Sequence, residues 1–171
     1  MEHYKFPVTF IPLTHNQKQI IGISHCPGKL SEKTGSIQQL HFDLESLKQQ
    51  GVSCIVTLAT EAEIIDLGIE SFTDCVATFN FLHYYERIKD LSVPDANQKE
   101  NIKTLLRNIR NQINFEKNVL IHCNAGLGRS GLIAALLVKT IGIFPDSINH
   151  IRRYRPGAIE TKEQEHFIDM F

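Results

Sequence analysis

The sequence has no C-x-x-C pair, no excess of either charge and no apolar run long enough to cross a bilayer. Its four cysteines (Cys26, Cys54, Cys75 and Cys123) are scattered, which argues against a disulfide framework or a structural zinc site and points to a reducing, cytoplasmic setting. The longest apolar stretch, Leu132 to Val138, covers 7 residues, whereas a membrane helix needs about 20. Eighteen Lys and Arg against 19 Asp and Glu leave a formal charge of −1. That balance excludes a protein whose main task is holding nucleic acid or an anionic membrane by bulk charge, although a local anion site is compatible with it. Met1 to Pro7 lacks the basic start and apolar run of a signal peptide. No repeat, low-complexity tract or Pro/Ser-rich linker divides the 171 residues. The expectation is one domain over 1–171, monomeric, with no membrane insertion and no nucleic-acid partner.

What is there alternates between two periodicities. Val8–Ile11 and Ile20–Ile23 read as an opening hairpin around Asn16, and Ser31–Gly35 as a loop. Ser36 and Gln39 form a capping box before Ile37, Leu40, Leu44 and Leu47 at helical spacing, which Gly51 closes. Val52–Leu58 is a continuous apolar run, the mark of a strand buried on both faces. Thr60 with Glu63 caps a second helix that Gly68 stops, and Phe72, Cys75, Val76 and Phe79 space a third. Phe81–Ile88 reads as a strand. Asp95 with Gln98 opens a helix bearing Ile102, Leu105, Leu106, Ile109 and Ile113 on one face. Val119–His122 is a strand, Ser130–Ile143 a helix, Pro145 the start of another ending near Arg155-Pro156-Gly157, and Thr161–Phe171 the last. Five strands separated by helices imply an α/β domain, with helices on both faces of a largely parallel sheet. Ligands then bind at the carboxyl ends of strands, which directs attention beyond Ile88 and beyond His122.

The segment beyond His122 admits three readings. Gly126, Gly128 and Gly131 match G-x-G-x-x-G, but a dinucleotide fold needs an acidic residue about 20 positions on at the end of a further strand. Position 151 and its neighbours are Ile-Arg-Arg in an expected helix. A Walker A loop needs lysine where Arg129 stands. The third reading is C-x5-R between Cys123 and Arg129. A tight loop at a helix N-terminus turns its amides inward, so the backbone of Asn124, Ala125, Gly126, Leu127 and Gly128 makes a phosphate cradle. Arg129 adds a bidentate fork. The same positive field favours the thiolate of Cys123, a nucleophile able to attack phosphorus and form phosphocysteine. Ser130 is placed to donate its hydroxyl to that thiolate, and His122 to hold the loop by hydrogen bonds.

Expelling an alkoxide or phenoxide also needs a proton. The other strand end supplies Asp90 and Asp95. Asp95 has a structural explanation as the cap of the next helix, whereas Asp90, in a loop just past a strand, has none; Asp90 is the favoured acid and Asp95 the alternative.

His122 to Ser130 resembles the H-C-x5-R-[ST] signature of cysteine-based protein tyrosine and dual-specificity phosphatases. Ile151 to Thr161, with Gln164 following, resembles the segment downstream of that signature in compact dual-specificity members. Ile21 to Gly28 and the spacing after it are similar to the kinase-associated phosphatase group, also called cyclin-dependent-kinase inhibitor phosphatases. Lys89 to Pro94 resembles the mobile acid loop, with Asp90 on the acid; Ile88 and Lys89 stand where that loop has Trp-Pro. The resemblance implies the compact dual-specificity phosphatase fold, a phosphoprotein substrate, no metal and no cofactor. It also implies that Gln164 positions the hydrolytic water, while the residues themselves equally make Gln164 the partner of Thr161 in a capping box. Arg152, Arg153 and Arg155 read as a solvated helix face, one of them available for a substrate anion.

The function expected is hydrolysis of phosphotyrosine and phosphoserine/threonine in proteins at a shallow site, since the short chain shows no insertion that would deepen the cleft. The enzymatic alternative is a phosphoinositide phosphatase, disfavoured by the uncharged Asn124, Ala125 and Leu127 in the loop. A rhodanese-like or arsenate-reductase-like enzyme is opposed by the Arg-Pro-Gly segment and the acid loop. A non-catalytic phosphoprotein-binding module is opposed by the presence of both Cys123 and Arg129.

Overall fold

The structure, a computed structural model, describes residues 4–171; the amino-terminal reading at Met1–His3 lies outside them. Seven strands and seven α-helices follow in the order β1 (Thr9–Pro12), β2 (Ile20–Ser24), β3 (Lys29–Ser31), β4 (Thr34–Gly35), α1 (Ile37–Gln49), β5 (Val52–Thr57), α2 (Glu61–Asp66), α3 (Phe72–Thr78), β6 (Leu82–Tyr85), α4 (Lys99–Asn114), β7 (Asn118–His122), α5 (Gly128–Ile141), α6 (Ser147–Tyr154) and α7 (Lys162–Met170). Five strands form one sheet in the order β1-β2-β7-β5-β6, with β1 antiparallel to β2 and the remaining pairs parallel.

Strand alternation decides which helices cover which face. Cys54, Val56, Val119 and Ile121 point with Ile21 and Ile23 toward α4, α5, α6 and α7. Ile55 and Leu120 point the other way, into a core with Leu40, Leu44 and Leu47 of α1, Ile64 of α2 and Phe72 of α3. Each central strand is therefore apolar on both faces, which is why β5 and β7 read as continuous runs in the sequence. No helix among the described residues is long and apolar enough to cross a membrane.

Several boundaries differ from expectation. Lys29–Ser31 and Thr34–Gly35, read as loop, form a small antiparallel ribbon pairing Lys29 with Gly35 and Ser31 with Thr34. A Cβ at Gly35 would lie 2.6 Å from the Gly28 carbonyl, so the ribbon rests on close backbone approach and not on hydrophobic alternation. β6 is half the expected length. Past Tyr85 the chain still bonds the last residue of β5 and the one after it, through Glu86 N to Thr57 O (3.1 Å) and Ile88 N to Leu58 O (3.2 Å), but as a departing loop. Asp95 and Gln98 cap a 3-10 turn, Ala96–Gln98, which passes into α4 at Lys99. α6 begins at Ser147, with Asp146 and not Pro145 at its start. α5 begins at Gly128, two residues earlier than expected, which puts Arg129 inside its first turn.

Candidate active site

β5, β6 and β7 run parallel, so their carboxyl ends open onto one edge, and three loops meet there. The loop after β7 is held by its backbone. Gly126 has φ +70°, and a Cβ there would collide with the Ser24 carbonyl at the end of β2, so only glycine passes. The turn directs the Gly126 amide at Cys123, N to Sγ 3.2 Å. Asn124 is fixed by Cys26 N donating to its carbonyl (3.0 Å), and by Lys29 Nζ donating to its Oδ1 (2.7 Å). Cys123 itself is 2% exposed. A thiol at the floor of an amide-lined turn meets the geometric need for a phosphate-binding nucleophile.

Arg129, 1% exposed, turns from the first residues of α5 across the loop. Its NH1 and NH2 donate to Oε2 and Oε1 of Glu63, each at 2.7 Å, and NH1 also donates to the Ile88 carbonyl at 3.0 Å. Glu63 takes the end-on fork. The side-on fork remains: Nε is buried without a partner among the described residues, and NH2 lies 3.0 Å from Asp90 Oδ1. A buried guanidinium N–H with no acceptor is costly unless a ligand supplies one. Burial pushes the Glu63 carboxyl up, but the Arg129 hydrogen bonds and the Thr60 amide more than reverse this and bring it down to about 2. Burial opposes the charge of Arg129 too, and the Glu63 bonds outweigh it, so its pKa is raised.

Sequence reading missed this role of Glu63. It saw only the capping box, which is real: Thr60 N and Oγ1 donate to Glu63 Oε2 at 2.8 and 2.9 Å. The one available signal was position, since α2 starts at the carboxyl end of β5 and its first turn must face the same edge as Arg129.

The remaining expected residues divide. His122 is wholly buried, and burial, which disfavours its charged form, drives its pKa down to about 3. Its Nδ1 donates to the Cys123 carbonyl at 3.2 Å. Ser130 is buried beside the site, but its hydroxyl has no partner among the described residues, so the expected bond to the thiolate is not made. Asp90 sits in the loop beyond β6 with its side chain 61% exposed, against Arg129. Asp95 is occupied as a cap, accepting from Asn97 N at 2.8 Å and Gln98 N at 3.0 Å. Gln164 is fully buried; its Oε1 accepts from Glu160 N (2.8 Å) and Thr161 N (3.3 Å), and its Nε2 donates to the Ser92 carbonyl (3.2 Å). It thus completes the capping box and also ties α7 to the loop carrying Asp90. The arginines do not form a solvated face. Arg152 donates to Ala158 O, Ile159 O and Glu165, and Arg155 to Gly126 O (2.9 Å) and Thr9 Oγ1 (3.0 Å); only Arg153 is exposed.

Two shallow grooves flank the loop. One, of about 380 Å³, is bordered by His25, Lys29, Leu30, Ala125 and Leu127; the other, of about 400 Å³, by Lys33, Glu63, Asp66, Leu67 and Asn124. The β3–β4 ribbon stands between them, with Glu32 on both.

Residues 29–142 match the family described as "Polymorphic toxin system, DSP-PTPase phosphatase". Cyclin-dependent kinase inhibitor 3 of Rattus norvegicus is 29% identical over 99% of this chain and 80% of its own length. The Homo sapiens protein of that name is 30% identical over 91% of this chain and 73% of its own. Among solved structures, kinase-associated phosphatase with its catalytic-site cysteine replaced by serine superposes with a TM-score of 0.84 at 24% identity, over 98% of this chain and 94% of that one. Tk-PTP in its active form gives 0.70 at 22% identity, over 95% of each chain. The chain belongs to the dual-specificity, cysteine-based protein tyrosine phosphatases, enzymes that dephosphorylate proteins through a phosphocysteine intermediate, and its similarity runs to the kinase-associated phosphatase group.

Proposed function

We propose that Cys123, Arg129 and Asp90 carry the reaction in this chain, and that residues 1–171 act as a single, monomeric, metal-independent phosphatase domain in a reducing, cytoplasmic compartment. The observation that carries the residue assignment is the side-on fork of Arg129: a buried, unpartnered Nε beside a thiol that an inward-turned amide already contacts. A phosphate dianion takes the Nε and NH2 donors and the loop amides of residues 124–128. Cys123 Sγ attacks phosphorus; the S–P bond forms as the ester P–O bond breaks, and Asp90 delivers its proton to the leaving oxygen. Water then attacks the phosphocysteine and gives its proton to Asp90. The S–P bond breaks, freeing inorganic phosphate and the thiolate. Arg129 and the amides stabilise the equatorial charge in both steps, the type of electrostatic stabilisation worth several kcal/mol in an enclosed site.

Asp90 stands on NH2 of the fork, so an incoming phosphate displaces it toward the leaving-group side. The reducing compartment fits the four free cysteines of the described residues. Phosphoprotein substrates of both kinds, phosphotyrosine and phosphoserine/threonine, fit the two shallow grooves. The loop side chains Asn124, Ala125 and Leu127 bring no positive charge for a multiply phosphorylated inositol ring.

The test is hydrolysis of an aryl phosphate with a chelator present, by wild type, Cys123→Ser and Asp90→Ala. Cys123→Ser is expected to lose turnover altogether, and retained turnover removes the nucleophile assignment. Asp90→Ala is expected to lose kcat by about 10²–10⁴ while inorganic phosphate binds no more weakly. An unchanged pH–rate profile transfers the acid to Asp95. A phosphopeptide panel set against phosphoinositide vesicles decides the substrate class.

A further inference from the structure

Four groups behind the loop form a chain whose direction is fixed by elimination. The Cys123 carbonyl accepts only, so the His122 nitrogen facing it, Nδ1 at 3.2 Å, bears the proton. A buried imidazole held neutral then has a bare Nε2. Thr57 Oγ1, 2.8 Å from that Nε2, must give its single proton there. Thr57 Oγ1 also contacts His83 Nε2 at 2.8 Å, and with its own proton committed it accepts from His83. Three hydrogen bonds therefore run one way, from His83 on β6 through Thr57 at the end of β5 to His122 at the end of β7, and on to the Cys123 carbonyl.

The surroundings keep the chain dry and single-valued. Thr57 and His122 are fully buried, and the Phe72 ring packs on both imidazoles, with centroids 6.0 Å from His83 and 5.3 Å from His122. His25 and Arg129 are the other ionisable groups acting on His122, and the Tyr85 ring lies 5.6 Å from that of His83. The His122 carbonyl is pinned by Leu58 N at 3.0 Å, whereas the Cys123 carbonyl accepts from no backbone N–H among the described residues. Its orientation is left to His122.

We propose that Thr57 and His83 are positioning residues for the phosphate cradle: they anchor Nε2 of the His122 ring, so that its Nδ1–H keeps hold of the Cys123 carbonyl, turned away from the anion with the following amides facing in. The inference rests on Cys123 being the nucleophile. Without the Thr57 hydroxyl, Nε2 of His122 becomes a buried acceptor with no donor, and the ring, held at one end only, is free to turn and release the carbonyl. A carbonyl dipole swung toward the phosphate weakens the cradle, whose strength depends on donors already in place. Charge on His83 leaves the chain intact, because Nε2 of an imidazolium still donates.

The experiment compares Thr57→Val, which keeps the shape, with Thr57→Ser, which keeps the hydroxyl. Three quantities are read: kcat/KM on an aryl phosphate, the rate of Cys123 alkylation by iodoacetamide at fixed pH followed by peptide mass spectrometry, and the ¹⁵N shifts of the His122 imidazole. Thr57→Val is expected to lose about tenfold in kcat/KM, to alkylate several-fold more slowly and to shift the bare-Nε2 resonance away from its hydrogen-bonded position. Thr57→Ser should hold all three within about twofold of wild type. Equal losses in Val and Ser, no loss in Val, or a protonated Nε2 in the wild type each overturn the proposal. The imidazole spectrum of the wild type tests the chain even if Thr57→Val does not fold. It stands apart from turnover, so failure of the nucleophile assignment, seen as retained activity in Cys123→Ser, is distinguishable.

Discussion

Glu63 performs two tasks with one carboxylate, and they separate by charge. As the third residue of α2 it accepts from the Thr60 amide and hydroxyl, a task that a neutral amide oxygen also performs. As the partner of Arg129 it must present two anionic oxygens to two guanidinium N–H groups, which a glutamine does not. Glu63→Gln should therefore leave α2 capped while the guanidinium loses its fixed end. The expected result is a fall in kcat/KM of at least tenfold, with weaker binding of inorganic phosphate, because the side-on fork of Arg129 is no longer pre-aimed. Steady-state kinetics and phosphate titration check this; wild-type values for both would mean that Ile88 and the packing of α5 suffice to hold Arg129. Asp90 differs in being exposed and contacting only the free fork, so it is suited to leave when a ligand arrives.

At the scale of elements, the site is a meeting of three strand ends, and legibility in the sequence followed how local each piece is. The β7-loop-α5 segment was readable because its chemistry and its folding signals lie within 13 residues, Val119 to Gly131. Asp90, proposed here as the acid, stood out in the sequence because its neighbour Asp95 had a visible cap role and Asp90 had none. Glu63 was not, since its bond to Arg129 spans 66 positions and only the order of strands in the sheet brings them together. The β3–β4 ribbon escaped because two- and three-residue strands carry no period, and its fit depends on Gly28 and Gly35 meeting backbone to backbone. Gln164 was readable only in half: the capping box with Thr161 is a sequence pattern, but the bond from its Nε2 to Ser92 O reaches a loop 72 positions away. That bond couples α7 to the loop carrying Asp90 and yields a comparison. Thr161→Ala removes the cap alone and should cost about 1 kcal/mol of stability with kcat retained. Gln164→Ala removes the tether as well and should lower kcat with KM little changed. Thermal melts and kinetics of the two variants separate these effects. A product burst followed by a slow phase in Gln164→Ala would instead assign the glutamine to the water step.

At the scale of the molecule, the same burial that shapes the site makes the fold sensitive to acid in two stages. Three histidines, His25, His83 and His122, have native pKa values lowered chiefly by burial, the last to about 3. On unfolding each returns to its ordinary value of about 6.5. Below that pH the unfolded chain binds protons that the native protein refuses, so stability falls as pH drops, by up to about 1.4 kcal/mol per pH unit for each histidine fully engaged. Glu63 adds to the loss lower down. Its native pKa of about 2 lies below the ordinary 4.5; its contribution is whole above pH 4.5 and is lost as pH falls toward 2. The two stages have the same sign but different windows, the first opening near pH 6.5, well above the range in which ordinary carboxylates titrate. Urea midpoints measured from pH 8 to pH 3 should accordingly be level down to about pH 7, decline between pH 6.5 and 5, and steepen below pH 4.5. Glu63→Gln should abolish part of the lower decline and leave the upper one. A midpoint that stays level from pH 7 to pH 5 would mean that the buried imidazoles take up protons without unfolding, contrary to the dry, neutral His122 on which the orientation of the Cys123 carbonyl depends.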